Sequence, residues 1–434
     1  GYGFPENSLW NGVKQEPDII GVDAGSTDPG PYYLGSGKTL VPDSSILRDL
    51  KLLLKAQRKL EVPLVIGSAG GSGSRVHVNR TFSILKKAIG DVGGRFRVKL
   101  LYSDIDQDFL ERVVEEGRYI VDLGFDHSYI DTIKDPGVVV AQNGIESIIK
   151  ALKDDADIIL AGRVVDISSF AALPWMRGFD KGLAVHMAKI LECGAIAAEP
   201  GSGADGLLGI LRRDEFEVRA LNPDRKTTVI SVAEHALYER NDPYRETIPG
   251  GYADFKDATY EQVDLGVVVR GSRWIDAQKY MVKLEGSRPI GHRVVVIAGV
   301  RDPLFISELP KLYEEAVNFA VKQLGGGFSV YPRFYGWNGI LGSSEARKPS
   351  HEVGLVLEVV AADRSKAEAA AGLIRSTLLH IGWPSRKTTA GNLAFPFSPS
   401  DLYAGIAYEW SLWHLVELKN PLETTRIKEV DLNG

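Results

Sequence analysis

The sequence predicts an α/β protein: an N-terminal parallel sheet with helices on both faces, a strand-rich segment, and a small C-terminal α+β domain. Three observations carry this reading. Short apolar strands alternate with helical stretches through the first half, the pattern of a parallel sheet. From about Phe216 the runs become mostly strand-like and are separated by turns. Towards the C-terminus, strands are followed by long helical stretches.

Taken in order, Ile19–Val22 is a buried-strand run. Asp43 caps "SSILRDLKLLLKAQRKL", where Leu47, Leu50, Leu54 and Gln57 follow helical spacing. "PLVIGSAG" (63–70) is a strand that ends in glycines. "VNRTFSILKKAI" reads as helix, "RFRVKLLYSDI" as strand, and "QDFLERVVEEG" as a helix closed by Gly117. "GVVVAQ", the helix "GIESIIKALKDD" and "ADIILAGR" (156–163) continue the alternation. Beyond Phe216, "FEVRAL", "TTVISVAEHALYE", "QVDLGVVVRGSRW", "QKYMVKLEG" and "HRVVVIAGV" read mostly as strands. "DPLFISELPKLYEEAVNFAVKQL" and "RSKAEAAAGLIRSTLLHIG" are helices flanking the strand "VGLVLEVVA". The expected domains are 1–215, 216–305 and 306–434.

A length of 434 residues fits two or three domains. Charged residues at 25% and hydrophobic residues at 44% are usual for a folded globular chain. The net charge is −6 and the basic residues are scattered, which argues against a nucleic-acid-binding face. No apolar run reaches the ~18–20 residues of a membrane span, and no signal peptide is visible. The first residue is Gly1 rather than Met, so an N-terminal piece is expected to be missing. A single cysteine, Cys193, excludes an internal disulfide framework and a cysteine zinc site. It also fits a reducing compartment, so a cytoplasmic enzyme is expected.

Ligands of open parallel sheets bind beyond the carboxyl ends of the strands, and three strand ends carry polar or glycine-rich loops. In "DAGSTD", Asp23 can act as a base, bind a hydroxyl or hold a cation, while Ser26, Thr27 and Asp28 converge beside it. An Asx-turn stiffened by Pro29 and Pro31 is the plainer alternative. In "GSAGGSGSR", Ser68, Gly70, Gly71, Ser72 and Gly73 lead into a helix, and Arg75 adds charge. Successive N–H groups at a helix start form an anion site; a flexible turn is the alternative. In "AGRVVDISSF", Arg163 and Asp166 follow a strand, where a guanidinium can clamp a carboxylate. An internal ion pair between the two would be structural only.

Two more loci bear proton-transfer groups. On the helix "GFDKGLAVHMAKILECGA", His186, Lys189 and Cys193 share a face and Glu192 lies to one side. His186 and Glu192 are candidate acid–base groups, and Cys193 a candidate substrate contact. On the strand "YMVKLEG", Met281, Lys283 and Glu285 share a face, so Lys283 and Glu285 are either a surface pair or an acid–base pair. His235 and Tyr238 have less support. Eight histidines without paired spacing give no transition-metal signature, and no residue is assigned as a fixed metal ligand.

With these residues laid out, the chain resembles the acyclic terpene utilisation (AtuA) family. The motifs are "GYGFPENSLWNG", "DIIGVDAGSTDPGPYYLGSG", "VIGSAGGSG", "ILAGRVVDISSFAALP", "HMAKILECGA", "SVAEHALYERNDP", "YMVKLEG" and "VVVIAGVRDP", in order across residues 1–305. The resemblance implies a protein working beside enzymes of acyl-CoA or carboxylic-acid catabolism. Some members carry lyase or hydratase labels, and the family supplies no catalytic residue to carry over.

The expectation is therefore a lyase or hydratase, or an isomerase, acting on a small carboxylic acid or its acyl-CoA. Arg163 and Gly70–Gly73 would hold anionic groups, and Glu192, His186, Lys283 or Glu285 would move a proton. Asp23 and Asp28 would add a hydroxyl contact or a divalent-cation (Mg²⁺ or Mn²⁺) site. The rivals are a carboxylate- or acyl-CoA-binding subunit and an actin-like ATP-dependent enzyme, whose first phosphate loop "DAGST" resembles. In that class a second antiparallel strand follows at once, which Pro29 and Pro31 obstruct. A homo-oligomer is expected from the aromatic-rich "YPRFYGWNG", and neither nucleic acid nor membrane is expected as a partner.

Overall fold

The computed structural model describes residues 3–124, 128–237, 242–387 and 390–434, so Tyr238 lies outside the described residues. The chain is a mixed α/β protein whose parallel sheet carries helices on both faces, with antiparallel sheets later in the sequence. It divides into two compact units, Gly1–Arg288 with Trp410–Gly434, and Pro289–Glu409. Boundaries at 215/216 and 305/306 do not coincide with this division. The chain returns to the first unit at its C-terminus, which no local pattern announces.

In the first unit, β1 (Ile20–Asp23), β2 (Leu64–Gly67), β3 (Arg95–Tyr102) and the strand Ile158–Ala161 run parallel. The sheet order is β1, β2, Ile158–Ala161, β3, with Arg426–Asn433 added antiparallel at the β3 edge. Side chains alternate between the two faces. Leu64 and Ile66 pack with Ile158 and Leu160 under the helices Asp43–Leu60 and Arg75–Val92. Val65, Ile159 and Ala161 pack on the opposite face with Ile145–Lys153 and Ser168–Met176. The continuous apolar runs of these strands follow from being covered on both sides.

Three expectations change here. Val138–Gln142 ("VVVAQ") does not join the parallel sheet; it pairs antiparallel with Lys283–Ser287. An apolar run of this length fits any buried strand and does not name its neighbour. Val229–Leu237, read as strand, is a helix with Val232 and Ala236 buried four residues apart on one face. After β1 the chain enters the helices Pro31–Ser36 and Asp43–Leu60, and β1 pairs parallel with β2. The hairpin of an actin-like phosphate loop is therefore not formed.

The rest of the first unit includes an antiparallel sheet of Leu207–Leu211, Phe216–Ala220, Val267–Arg270 and Thr259–Gln262. In the second unit, His292–Val300 and Phe328–Tyr335 flank Val353–Ala361 in antiparallel register. The helices Pro303–Leu324 and Arg364–His380 bury Leu309, Leu312, Ala370 and Ile374 against that sheet. Asp302 starts the first helix by accepting the N–H groups of Leu304 and Phe305, both at 2.9 Å. Among the described residues, no helix is long and apolar enough to cross a membrane.

Candidate active site

The carboxyl ends of β1, β2 and Ile158–Ala161 open onto a cavity of about 860 Å³ within the first unit. That size suits a small-molecule site. Asp23 is the last residue of β1, Gly70–Ser72 follow β2, and Asp166 follows the third strand; all line the cavity. Glu192 closes the helix Lys181–Glu192 and enters from the side. One oxygen each from Asp23, Asp166 and Glu192 lies within 4.8 Å of the others. These residues are separated in sequence by up to 169 positions (192 − 23), so only the fold assembles them.

Each carboxylate has a different environment. Asp166 accepts a 2.8 Å hydrogen bond from Arg163 Nη1. Glu192 accepts from Lys189, one turn back on the same helix. A carboxylate in a last helical turn meets the negative end of the macrodipole, which makes the Lys189 contact more needed. Burial, opposed by Lys189 and reinforced by Asp166, pushes Glu192 up to about 7. Asp23 accepts a long 3.4 Å bond from the Gly25 N–H. Burial, followed by the charges of Asp166 and Glu192, raises its carboxyl well above the usual range.

The glycines of these strand-end loops serve close backbone packing. A Cβ on Gly25 would lie 2.5 Å from Gly71 Cα, and one on Gly73 only 2.3 Å from the Arg163 nitrogen. Gly73 also has φ +65°, a conformation costly for other residues. Ser26 and Asp28 line the cavity, but they face each other through a 2.7 Å hydrogen bond, the turn-forming alternative. Cys193 is half-buried and also lines the cavity.

Other expected site residues stand apart from it. Arg163 does not line the cavity. Its Nε donates to Glu285 at 2.9 Å and its Nη1 serves Asp166, Ser68 and the Val164 carbonyl. The internal ion pair thus replaces the expected substrate clamp. Glu285 is fully buried and also takes Lys283 at 2.6 Å and Thr27 Oγ1 at 3.0 Å. Burial alone would raise its carboxyl, but Arg163 and then Lys283 outweigh that and hold it below the usual range. An ionised, fully bonded carboxylate is a brace, and Lys283, Thr27 and Ser68 are its surroundings rather than substrate contacts. Lys283 also sits 4.3 Å from the Trp413 ring.

His186 is a core residue. Its Nδ1 meets Ser272 Oγ at 2.7 Å, its Nε2 meets Tyr260 OH at 3.2 Å, and its ring stacks on Phe255 at 3.8 Å. Six residues turn a helix by about 240°, so Glu192 faces the cavity while His186 faces the antiparallel sheet. The expected anion site at the helix Arg75–Val92 is already filled: the Arg75 N–H donates to Asp104 at 2.9 Å. The Arg75 guanidinium lies over Tyr102 instead, 5.2 Å from the ring centre. Gly73 and Arg75 therefore do not reach the cavity.

Sequence reasoning left two contributors without a role. Lys189 was visible on the helix face but unassigned, and its i, i+3 spacing to Glu192 is the signal for their contact. Phe4, and Leu9 and Val13 from the helix Glu6–Val13, add to the apolar wall, as do Leu207 and Ile210. Among the described residues, the cavity-lining cations are Arg177, bonded to Asp18 at 2.6 Å, and Lys189, bonded to Glu192. No curated protein and no solved structure matches the chain. Residues 39–202, which carry β2, β3, Asp166 and Glu192, match the model of the acyclic terpene utilisation family protein AtuA.

Proposed function

We propose that this chain is a lyase- or hydratase-type enzyme that moves a proton next to a carbonyl group of a small carboxylic acid derivative. One observation carries the reading: carboxylates from two strand ends and one helix end converge in a single cavity. Neighbouring acids whose environments push their proton affinities apart divide acid and base roles between them. Asp166 is charge-paired to Arg163. Burial, and then the charges of Asp166 and Glu192, favour the protonated form of Asp23. Glu192 is poised near neutrality, where a general base works best.

In the forward direction Glu192 takes the proton from the carbon beside the carbonyl. Asp23 donates its proton, or a hydrogen bond, to the oxygen that becomes negative or departs. Proton return from Glu192 to a different carbon would give double-bond migration instead. Both cavity cations already pair with carboxylates, which favours a thioester or other uncharged carbonyl over a free carboxylate. The apolar wall of Phe4, Leu9, Val13 and Leu207 accommodates a hydrocarbon portion.

The test is hydron exchange. Short acyl thioesters incubated with the enzyme in D₂O are followed by NMR. Deuterium entering beside the carbonyl, and lost with Glu192→Gln, is the expected result. Exchange that persists in the variant sinks the proposal. Tight acyl binding with no exchange in any variant would instead support the binding-subunit reading.

A further inference from the structure

We infer that Asp23, Asp166 and Glu192 form a binding site for one hard divalent cation of the Mg²⁺ or Mn²⁺ type. The donor set is all oxygen, which suits such ions and disfavours softer metals. The three candidate ligand atoms lie within 4.8 Å of one another. Oxygens around Mg²⁺ sit at about 2.0–2.1 Å from the ion and hence about 3–4 Å apart. Side-chain rotations of under about 1 Å close the cluster onto an ion at that bond length.

Local charge makes the ion needed. Glu285 absorbs Lys283 and one edge of Arg163, Asp166 the other edge, and Glu192 absorbs Lys189. Asp23 is left with the Gly25 N–H at 3.4 Å. A carboxylate walled in with so poor a donor demands a proton or a cation.

A second observation is independent of the acids. Two hydroxyls line the same cavity with almost no exposure, Ser72 at 1% and Thr81 at 3%. Neither has a hydrogen-bond partner among the described residues. Ser72 follows Gly71, whose backbone abuts Gly25, two residues from Asp23. A buried, unpaired hydroxyl is costly; a hydrated cation beside Asp23 supplies the water that would satisfy Ser72. The ion would take Asp23's place at the substrate's carbonyl oxygen as a Lewis acid; Asp23 is then an ionised ligand rather than the proton donor, and Glu192 lends one oxygen to the ion and keeps the other for the proton. This goes beyond the proton-transfer reading and stands on binding alone.

The test uses the full chain, stripped with EDTA and titrated with Mn²⁺ by calorimetry and by electron paramagnetic resonance. One Mn²⁺ per chain is expected. Asp23→Asn and Asp166→Asn should each weaken it by at least about 100-fold, beyond the 10–100-fold usual for outer-shell changes. Asp28→Asn should leave it unchanged, since Asp28 is turned to Ser26. Absence of binding at millimolar Mn²⁺, or loss through Asp28→Asn alone, overturns the site. Should the variants fail to fold, wild-type crystals soaked in Mn²⁺ decide. An anomalous peak among the three carboxylates supports the site, and a peak elsewhere or none contradicts it. Hydron exchange that survives EDTA with no bound Mn²⁺ would remove the cation alone. One bound Mn²⁺ with exchange intact in Glu192→Gln would remove the proton-transfer reading alone.

Discussion

Arg163 and Glu285, 122 residues apart in sequence, meet through a 2.9 Å hydrogen bond with both side chains sealed from solvent. The same guanidinium holds Asp166 at 2.8 Å. A brace buried in the first unit thereby aims one of the three cavity carboxylates.

Removing one partner of this pair should be expensive. Arg163→Leu or Glu285→Ala strands a buried charge, and the expected loss is about 3–5 kcal/mol in urea unfolding. The double substitution should cost clearly less than the sum of the singles, because the two buried charges are removed together. Additive losses would mean that the two side chains do not interact.

Glu285 also sets a pH dependence. Its carboxyl sits below the unfolded value of about 4.3, held there against burial by Arg163 and Lys283. The stability it contributes is complete above the unfolded value and is lost as pH falls through the folded one. Wild-type stability should therefore drop more steeply below about pH 4.3 than that of Glu285→Gln. Parallel acid-unfolding curves for the two would contradict this.

Gly73 permits the loop after β2 to touch the loop after Ile158–Ala161. Gly73→Ala combines φ +65° with a 2.3 Å clash against backbone. Thermal unfolding should show a loss above the ~1 kcal/mol of an ordinary glycine conformational effect. Gly90→Ala, where an added Cβ meets nothing within 4 Å, should be neutral or stabilising by about 0.4–1 kcal/mol.

His186 and Glu192 sit on one helix and should separate cleanly. His186→Gln removes the ring stacked on Phe255 and should destabilise by about 1–3 kcal/mol. Its hydron exchange per folded molecule should stay near wild type. Glu192→Gln should retain the fold and lose about 10²–10⁴-fold in exchange rate.

The parallel sheet was legible because Ile19–Val22, "PLVIGSAG" and "ADIILAGR" each end in polar or glycine-rich residues, marking the strand ends that line the cavity. Asp23, Asp166 and Glu192 were visible as candidates for the same reason, or from helix spacing. Their convergence was not. Nor was the occupation of Arg163, whose partner Glu285 lies on a strand that local patterning could not register against β-elements 122 residues earlier. The helix Val229–Leu237 was misread because β-branched residues imitate a strand until tertiary contacts decide. His186 was over-read because shared helix membership does not mean a shared face.

The central claim is that Asp23, Asp166 and Glu192 act as one centre and that His186 and Lys283 do not. The direct measurement is deuterium incorporation into an acyl thioester by wild type, Asp23→Asn, Asp166→Asn, Glu192→Gln, His186→Gln and Lys283→Met, each normalised to its folded fraction. The account predicts that the three carboxylate variants each fall by at least about 100-fold and that the other two stay close to wild type. Loss of exchange in His186→Gln or Lys283→Met, with Glu192→Gln still active, would contradict it.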